Sequence, residues 1–291
     1  MKFIIYGSKG WIGQQVVKLL LDQGETVIDA EARADDEKAV EEELINTNPD
    51  RILSFIGRTF GTDNGKLYPT IDYLELPGKL VENVRDDLYS PFVLATLAKK
   101  YNIHLTLMNT GCIFNGYPDG GYTEEALPDF FGSSYSTVKG YTDRIMYFFE
   151  DSVLTLRLRM PVTSDLGPRN FITKIMTYDK ICSIPNSMSV LPELLPLMID
   201  MSKKKVFGVL NYTNPGQISH NEILEMVKEI YDPNFTWENF TLEEQSKILL
   251  SARSNNHLNT DRLQQLYPDV LPIKDAVRKV IEEMARNKNS Q

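Results

Sequence analysis

The chain has 291 residues, 42% hydrophobic and 24% charged, which excludes a disordered or fibrous polymer and allows one large core with a smaller attached lobe. Its 31 basic and 40 acidic side chains give a net charge of −9, and no run of Lys or Arg is long enough to track a phosphate backbone, so no nucleic-acid partner is expected. The amino terminus reaches Gly7 before a signal peptide's apolar region can form, and no stretch approaches the ~18 apolar residues of a spanning helix, so a cytoplasmic location without a membrane partner is expected.

Lys2–Tyr6 reads as a first buried strand, and the following Gly7-Ser8-Lys9-Gly10-Trp11-Ile12-Gly13 has the spacing G-x-x-G-x-x-G. Glycines at those places permit a tight turn, close backbone approach to a pyrophosphate and packing of helix on strand. Residues 11–23 carry apolar side chains at helical spacing, Gly24 stops the helix, and Thr26–Asp29 reads as a second strand. Glycine-rich turns also occur without ligands, but a strand before and a helix after this one predict a dinucleotide. Arg33, with Ser8 and Lys9, suits the 2′-phosphate of NADPH better than the bare ribose of NADH.

Residues 36–46, 80–101 and 133–149 read as helices between strands at 51–56, 104–108 and 153–159. The alternation predicts an α/β fold, a Rossmann-type doubly wound parallel sheet with a smaller C-terminal substrate-binding lobe. Ile56, Gly57 and Met160, at strand ends, are expected beside the cofactor. After 160, prolines interrupt the pattern. Residues 1–160 are therefore assigned to the NADP-binding domain and 161–291 mainly to the lobe, with some segments free to return to the sheet. In the lobe, 219–231 opens with a capping box from Ser219 and Glu222, and 275–286 is an amphipathic helix.

Tyr135 and Lys139 lie four residues apart on one face of a predicted helix, a spacing that suits a shared proton relay. A neighbouring ammonium is expected to lower the phenol's pKa toward neutrality. Thr110, after the strand at 104–108, is placed to hold the same carbonyl oxygen. A Tyr-x-x-x-Lys pair also fits a solvated helix face, and the nucleotide turn together with Thr110 is what sharpens it. Cys112 and Cys182 have no Cys or His at metal-ligand spacing, so free thiols and no metal are expected.

With Thr110, Tyr135 and Lys139 in these places, the chain resembles the extended short-chain dehydrogenase/reductases. The runs Thr110 to Phe114, Tyr135 to Lys139, Arg159-Met160-Pro161, Pro168 to Lys174, Ile184 to Met188, Thr213 to Gly216, Ser219 to Met226 and Arg253 to Asn256 narrow the likeness. They resemble UDP-4-keto-6-deoxyglucose 3,5-epimerase/4-reductase, the carboxyl-terminal half of plant UDP-rhamnose synthase. The resemblance implies that Cys112 abstracts and Lys174 returns the protons of C3 and C5, and that hydride from NADPH then reduces C4 while Tyr135 protonates its oxygen. A free cysteine equally suits a buried strand end, and a lysine a solvated helix.

Asn170, Asn186 and Arg253 are expected to contact the nucleotide sugar, the arginine because its fork suits phosphate. The likeness is poorest between Gly57 and Asp87, where this chain is longer and Asp87 stands in place of an expected Asn. The plant enzymes carry a preceding 4,6-dehydratase domain, so a separate dehydratase is expected to supply the substrate, and a homodimer is an open expectation. Two rival readings remain at this stage: a 4-keto reductase alone, like dTDP-4-keto-rhamnose reductase, and a non-catalytic NADP-binding regulatory subunit.

Overall fold

The computed structural model describes residues 1–289. In chain order, β1 (Lys2–Tyr6), α1 (Trp11–Asp22), β2 (Thr26–Asp29), α2 (Glu37–Thr47) and β3 (Arg51–Ser54) form two successive βα units. A hairpin, β4 (Gly61–Asp63) and β5 (Lys66–Tyr68), follows and turns at Asn64-Gly65 with both φ positive, as a two-residue hairpin loop requires. Next come a 3₁₀ turn at Ile71–Glu75, α3 (Leu80–Val84), a π-helical turn at Arg85–Tyr89 and α4 (Ser90–Tyr101). β6 (His104–Thr110), α5 (Ser134–Met146) and β7 (Val153–Leu158) complete the first half.

The second half contains β8 (Pro161–Val162), α6 (Phe171–Met176), β9 (Lys180–Ile181), β10 (Ser189–Val190), α7 (Leu191–Lys203) and β11 (Gly208–Asn211). It ends with α8 (His220–Ile230), β12 (Glu238–Asn239), α9 (Leu242–Ser246), α10 (Asp261–Leu266) and α11 (Ile273–Asn289).

Six parallel strands form the main sheet in the order β11-β7-β6-β3-β1-β2. Side chains alternate across it as the pleat demands. Phe3 and Ile5 of β1 join α1 and α7 in one core, while Ile4 and Tyr6 join α2 and α4 in the other. Each such Ile or Leu contributes about 1.5–3 kcal/mol on burial. A third core, in the lobe, packs Ile223, Leu224 and Val227 of α8 against Val277, Val280, Ile281 and Met284 of α11. The order reverses between β1 and β3, and their carboxyl ends open the crevice in which such sheets hold ligands.

One expectation changes, and one that was left open is made specific. The single helix read over 80–101 is broken by a π turn, because Pro91 has no N–H to offer the carbonyl of Asp87. That carbonyl instead accepts the Thr142 hydroxyl at 2.6 Å. Residues 191–211, after the proline-rich boundary, lie on the main sheet: Pro192 sits in the first turn of α7, where a missing N–H does no harm, and β11 pairs with β7. The Ser219–Glu222 capping box is present.

Candidate active site

The carboxyl ends of β1, β3, β6 and β7 surround a cleft of about 600 Å³. Lys9, Gly10, Trp11, Ile12 and Gly13 form one wall. Gly7 has φ +84°, and a Cβ on Gly13 would stand 2.2 Å from the Gly7 carbonyl oxygen, so the turn admits only glycine at both places. Gly10 caps α1 with no side-chain bond, and no acidic residue occupies the first helical turn. The N–H groups of that turn are thus left to an anion, helped by the helix dipole. Asn109, buried in the cleft wall, leaves both side-chain polar atoms without a partner. An open helix terminus, a glycine cradle and an orphaned amide fit a dinucleotide. Gly7 and Ser8 form the turn beneath this wall, and Ser8 is buried.

Ile56, Gly57, Thr110, Cys112, Tyr135, Lys139, Met160 and Lys174 line the same cleft. Met160 holds φ at +37°, a strained value for a side chain of its size. Tyr135 and Lys139 come from the first turns of α5, which Ser133 caps by accepting from the Ser136 N–H. The hydroxyl of Thr110 donates to the Leu158 carbonyl at 3.3 Å and accepts from the Cys112 N–H at 3.0 Å, and it lies near enough to the Tyr135 phenol to influence it.

The expected electrostatics are corrected here. Lys139 Nζ lies 3.2 Å from Asp87 Oδ1, both side chains being nearly inaccessible. The Tyr135 phenol is pushed well above its ordinary pKa by burial first, then by the charges of Asp87 and Cys112, with the Thr110 hydroxyl pulling the other way. Tyr135 is therefore a protonated phenol, chiefly because it is buried, and the ammonium expected to draw it down faces Asp87 instead. Burial, with Arg169 and Arg253 nearby, draws Lys174 below the usual lysine range. That depression suits a lysine that exchanges protons.

Two of the three proposed substrate contacts, Asn170 and Asn186, have other tasks. Asn170 is fully buried and caps α6; its side chain accepts from the Thr163 and Ile172 N–H groups and donates to the carbonyls of Thr163 and Asp165. Asn186, equally buried, accepts from Arg159 and the Asn256 N–H and donates to Asn255 behind the cleft. Both pattern as motif residues because they hold the loops. Arg253 is ion-paired with Asp72 at 3.1 Å and lines an outer cavity of about 680 Å³. A smaller cavity shares Lys174 with the cleft and Thr70, Thr177 and Tyr178 with the outer one, so the three follow one another into the lobe. Arg33 is exposed, 2.9 Å from Asp35, and lines a separate surface cavity with Asp36 and Glu37 instead of the cleft.

Sequence reasoning missed Asn109, the pairing role of Asp87 and the segment after β3. Thr59, Phe60 and Ile71 of that segment wall the cleft, Arg169 lies over the Phe60 ring at 3.2 Å, and Tyr73 and Leu74 pack with Tyr135 and Cys112. The Asn64-Gly65 pair was a legible hairpin signal. Among the described residues no cluster of His, Cys, Asp and Glu could hold a metal, and no helix is long and apolar enough to cross a membrane.

No family model matches the chain. It is 56% identical to the L780 protein of Acanthamoeba polyphaga mimivirus, over 98% of this chain and 99% of that one. The solved structure of the L780 UDP-rhamnose synthase of that virus superposes with a TM-score of 0.95 over 98% of this chain and 99% of that chain. The chain is also 41% identical to the bifunctional dTDP-4-dehydrorhamnose 3,5-epimerase/dTDP-4-dehydrorhamnose reductase of Arabidopsis thaliana, over 97% of this chain and 92% of the relative. A dTDP-4-dehydrorhamnose reductase of Clostridium acetobutylicum, at 16% identity and a TM-score of 0.81 over 97% of this chain and 99% of that chain, shares the fold. The chain belongs to the nucleotide-sugar 3,5-epimerase/4-reductase family, within the extended short-chain dehydrogenase/reductases.

Proposed function

We propose that this protein converts UDP-4-keto-6-deoxyglucose to UDP-L-rhamnose by 3,5-epimerisation followed by NADPH-dependent reduction of the C4 ketone. The observation that carries the reading is the meeting of two residue sets in one cleft: Thr110, Tyr135 and Lys139 beside the nucleotide turn, and Cys112 with Lys174 in the same walls.

The first stage is proton transfer. A C4 ketone acidifies C3–H and C5–H. The Cys112 thiolate takes the proton, forming S–H as C–H breaks, and the electron pair moves into the ring to leave an enolate at O4. Thr110 and Tyr135 hold that oxygen by hydrogen bonds. Lys174 returns a proton to the carbon from its ammonium and the centre is inverted. Proton exchange with solvent then resets both groups for the second carbon.

When bound, NADPH supplies the hydride that reduces C4. The free N–H groups at the start of α1 hold the pyrophosphate, with Lys9 beside them in the turn, and Arg33 exchanges Asp35 for the 2′-phosphate. Lys139 holds the nicotinamide ribose, and Ile56, Gly57 and Met160 wall the ring side. Tyr135, kept protonated by its surroundings, gives its proton to O4. The resulting alcohol no longer acidifies its neighbours, so reduction ends the epimerisation.

The cavities beyond Lys174 take the nucleoside diphosphate, with Arg253 partly released from Asp72 to meet it. UDP is chosen over dTDP on the greater likeness to the UDP-rhamnose synthase of the virus. A separate 4,6-dehydratase in the same cytoplasmic compartment supplies the ketone. A homodimer would cover the exposed Phe92, Tyr141 and Phe148 on the α4–α5 side.

Incubation with NADPH and UDP-4-keto-6-deoxyglucose, followed by NMR of the product, tests the reading. A UDP-L-rhamnose spectrum supports it. A reduced but unepimerised sugar overturns the epimerase half in favour of a reductase alone. No NADPH consumption with UDP- or dTDP-linked ketones overturns the enzymatic reading.

A further inference from the structure

Arg159, Arg169 and Arg253 line the cleft and the outer cavity beyond it. Two of them are already engaged. Arg159 is buried and donates to the Gly111 carbonyl, the Ser254 hydroxyl and carbonyl, and Asn186 Oδ1. Arg253 holds both carboxylate oxygens of Asp72, at 3.1 and 3.2 Å, and donates to the Ser251 carbonyl at 3.0 Å. Arg169 differs. Among the described residues it has no hydrogen-bond acceptor and no carboxylate partner, and its guanidinium carbon lies 3.2 Å from the centroid of the Phe60 ring. An approach that close lays the fork flat on the ring. Stacking occupies a face of the guanidinium and leaves its N–H donors free in the plane, the arrangement that meets phosphate oxygens in pairs.

Both members of the stack are held from behind. Arg169 lies in the loop between β8 and α6, where the Asn170 side chain donates to the Thr163 and Asp165 carbonyls. The Asp165 carboxylate accepts from the Gly167 N–H at 2.7 Å and from Trp11 Nε1 at 3.2 Å, which pins the loop to the nucleotide turn. Phe60 precedes β4, and the Tyr73 ring fills the space in which a side chain on Gly61 would stand. The root of the hairpin is thus fixed against the residues that pack on Tyr135. Leu166 and Pro168 line the smaller cavity with Lys174, whereas Arg169 lines the cleft. The guanidinium therefore stands where the cleft passes into the cavities of the lobe.

We propose that Arg169 binds the diphosphate of the nucleotide sugar, with Phe60 as its positioning residue. This rests on the reading of the substrate as a nucleoside diphosphate sugar and of Lys174 as the acid for C3 and C5. In such a sugar C1 is joined to C5 through the ring oxygen, so a substrate that offers C5 to Lys174 brings its C1 diphosphate to the same end of the cleft. The pyrophosphate of NADPH has the same chemistry, but the N–H groups at the start of α1 and Lys9 meet it on the opposite wall. Arg253 must give up part of its Asp72 pair to reach a phosphate, and Arg169 gives up nothing.

The test is calorimetry of the full chain with UDP, uridine and NADPH, each titrated alone. Wild type is compared with Arg169→Gln, Phe60→Leu, Phe60→Tyr and the double variant Arg169→Gln/Phe60→Leu, with melting temperatures as a check on folding. Phe60 is 40% exposed and Arg169 lies outside the core, so the variants fold. Affinity for UDP falls about 10- to 100-fold in Arg169→Gln and less in Phe60→Leu. Phe60→Tyr, which keeps a ring, retains it. Once Arg169 is replaced, Phe60→Leu adds little further loss, which a merely structural ring would not show. Affinities for uridine and NADPH stay as in wild type. Undiminished UDP affinity in Arg169→Gln overturns the proposal, and so does an equal loss for uridine. A loss confined to NADPH overturns it in favour of the cofactor's pyrophosphate, and additive losses overturn the role given to the ring. Binding needs no turnover. An Arg169-dependent affinity for UDP in a protein that turns over no ketone would therefore sink the enzymatic reading while leaving the diphosphate site in place.

Discussion

Lys139 Nζ and Asp87 Oδ1 lie 3.2 Å apart in a site from which water is almost excluded. The π turn at Arg85–Tyr89 is the reason Asp87 can be there, since Pro91 frees its carbonyl and Thr142 of α5 takes it. The carboxylate also accepts from the Arg58 N–H, which joins the segment after β3 to the catalytic helix. Burial keeps Tyr135 a proton donor, and the Asp87 charge, which also faces the ammonium, adds to the effect.

Asp87→Asn therefore changes the pH dependence of reduction more than its maximum. Reduction needs the protonated phenol and fades as pH rises through the Tyr135 pKa. The Asp87 charge adds to the upward shift of that pKa, so removing it, with Lys139 left unmatched, moves the alkaline limb to lower pH. A pH–rate profile for 4-keto reduction checks this. A limb that stays in place contradicts it.

Tyr135→Phe removes the proton donor and leaves the nucleotide turn intact. Reduction falls by about 10²–10⁴-fold, while NADPH binding measured by fluorescence changes little. Loss of NADPH binding in parallel would mean that the phenol serves the fold instead of the reaction.

Gly13→Ala places a methyl group 2.2 Å from the Gly7 carbonyl oxygen, where backbone must yield. Overpacking of this kind costs about 1–3 kcal/mol and displaces the N–H groups meant for the pyrophosphate. Weaker NADPH affinity with a lowered melting temperature is expected, and calorimetry with a thermal melt reads both.

His104 and His220 make the fold acid-sensitive. Burial lowers each from 6.5 to about 4, so between those values the unfolded chain binds protons that the folded chain refuses. Stability is complete above about pH 6.5 and is lost as pH falls toward 4, by up to about 3 kcal/mol per histidine. Melting temperatures from pH 7 to 4.5 should fall less steeply in His104→Asn than in wild type, although that variant starts lower because it loses the bond from Nε2 to the Val206 carbonyl.

What was legible in the sequence came from local rules. The period of β1 and α1, the glycine turn and the capping box of α8 each specify their own geometry, and Tyr135 and Lys139 needed only helical spacing to share the cleft. What was not legible depends on distant partners. Asp87 stood out as an oddity, but its meeting with Lys139 requires a π turn set by Pro91 and Thr142. Asn170 and Asn186 had the signature of ligand contacts, and only the loops they tie show why they are polar and buried. Residues 191–211 return to the sheet despite their prolines: Pro192 sits in the first turn of α7, where no N–H is needed, and the helix continues through Pro196 with its apolar side chains packed in the core of the sheet.

The central claim is that one cleft performs proton exchange and reduction with different residues. Its most direct measurement is turnover of UDP-4-keto-6-deoxyglucose with NADPH in deuterated water, comparing wild type with Cys112→Ala. The account predicts UDP-L-rhamnose carrying deuterium at C3 and C5 from wild type. It predicts no exchange at either carbon from Cys112→Ala, which still reduces a ketone supplied already epimerised. Undiminished deuterium at both carbons in the Cys112→Ala product would contradict it.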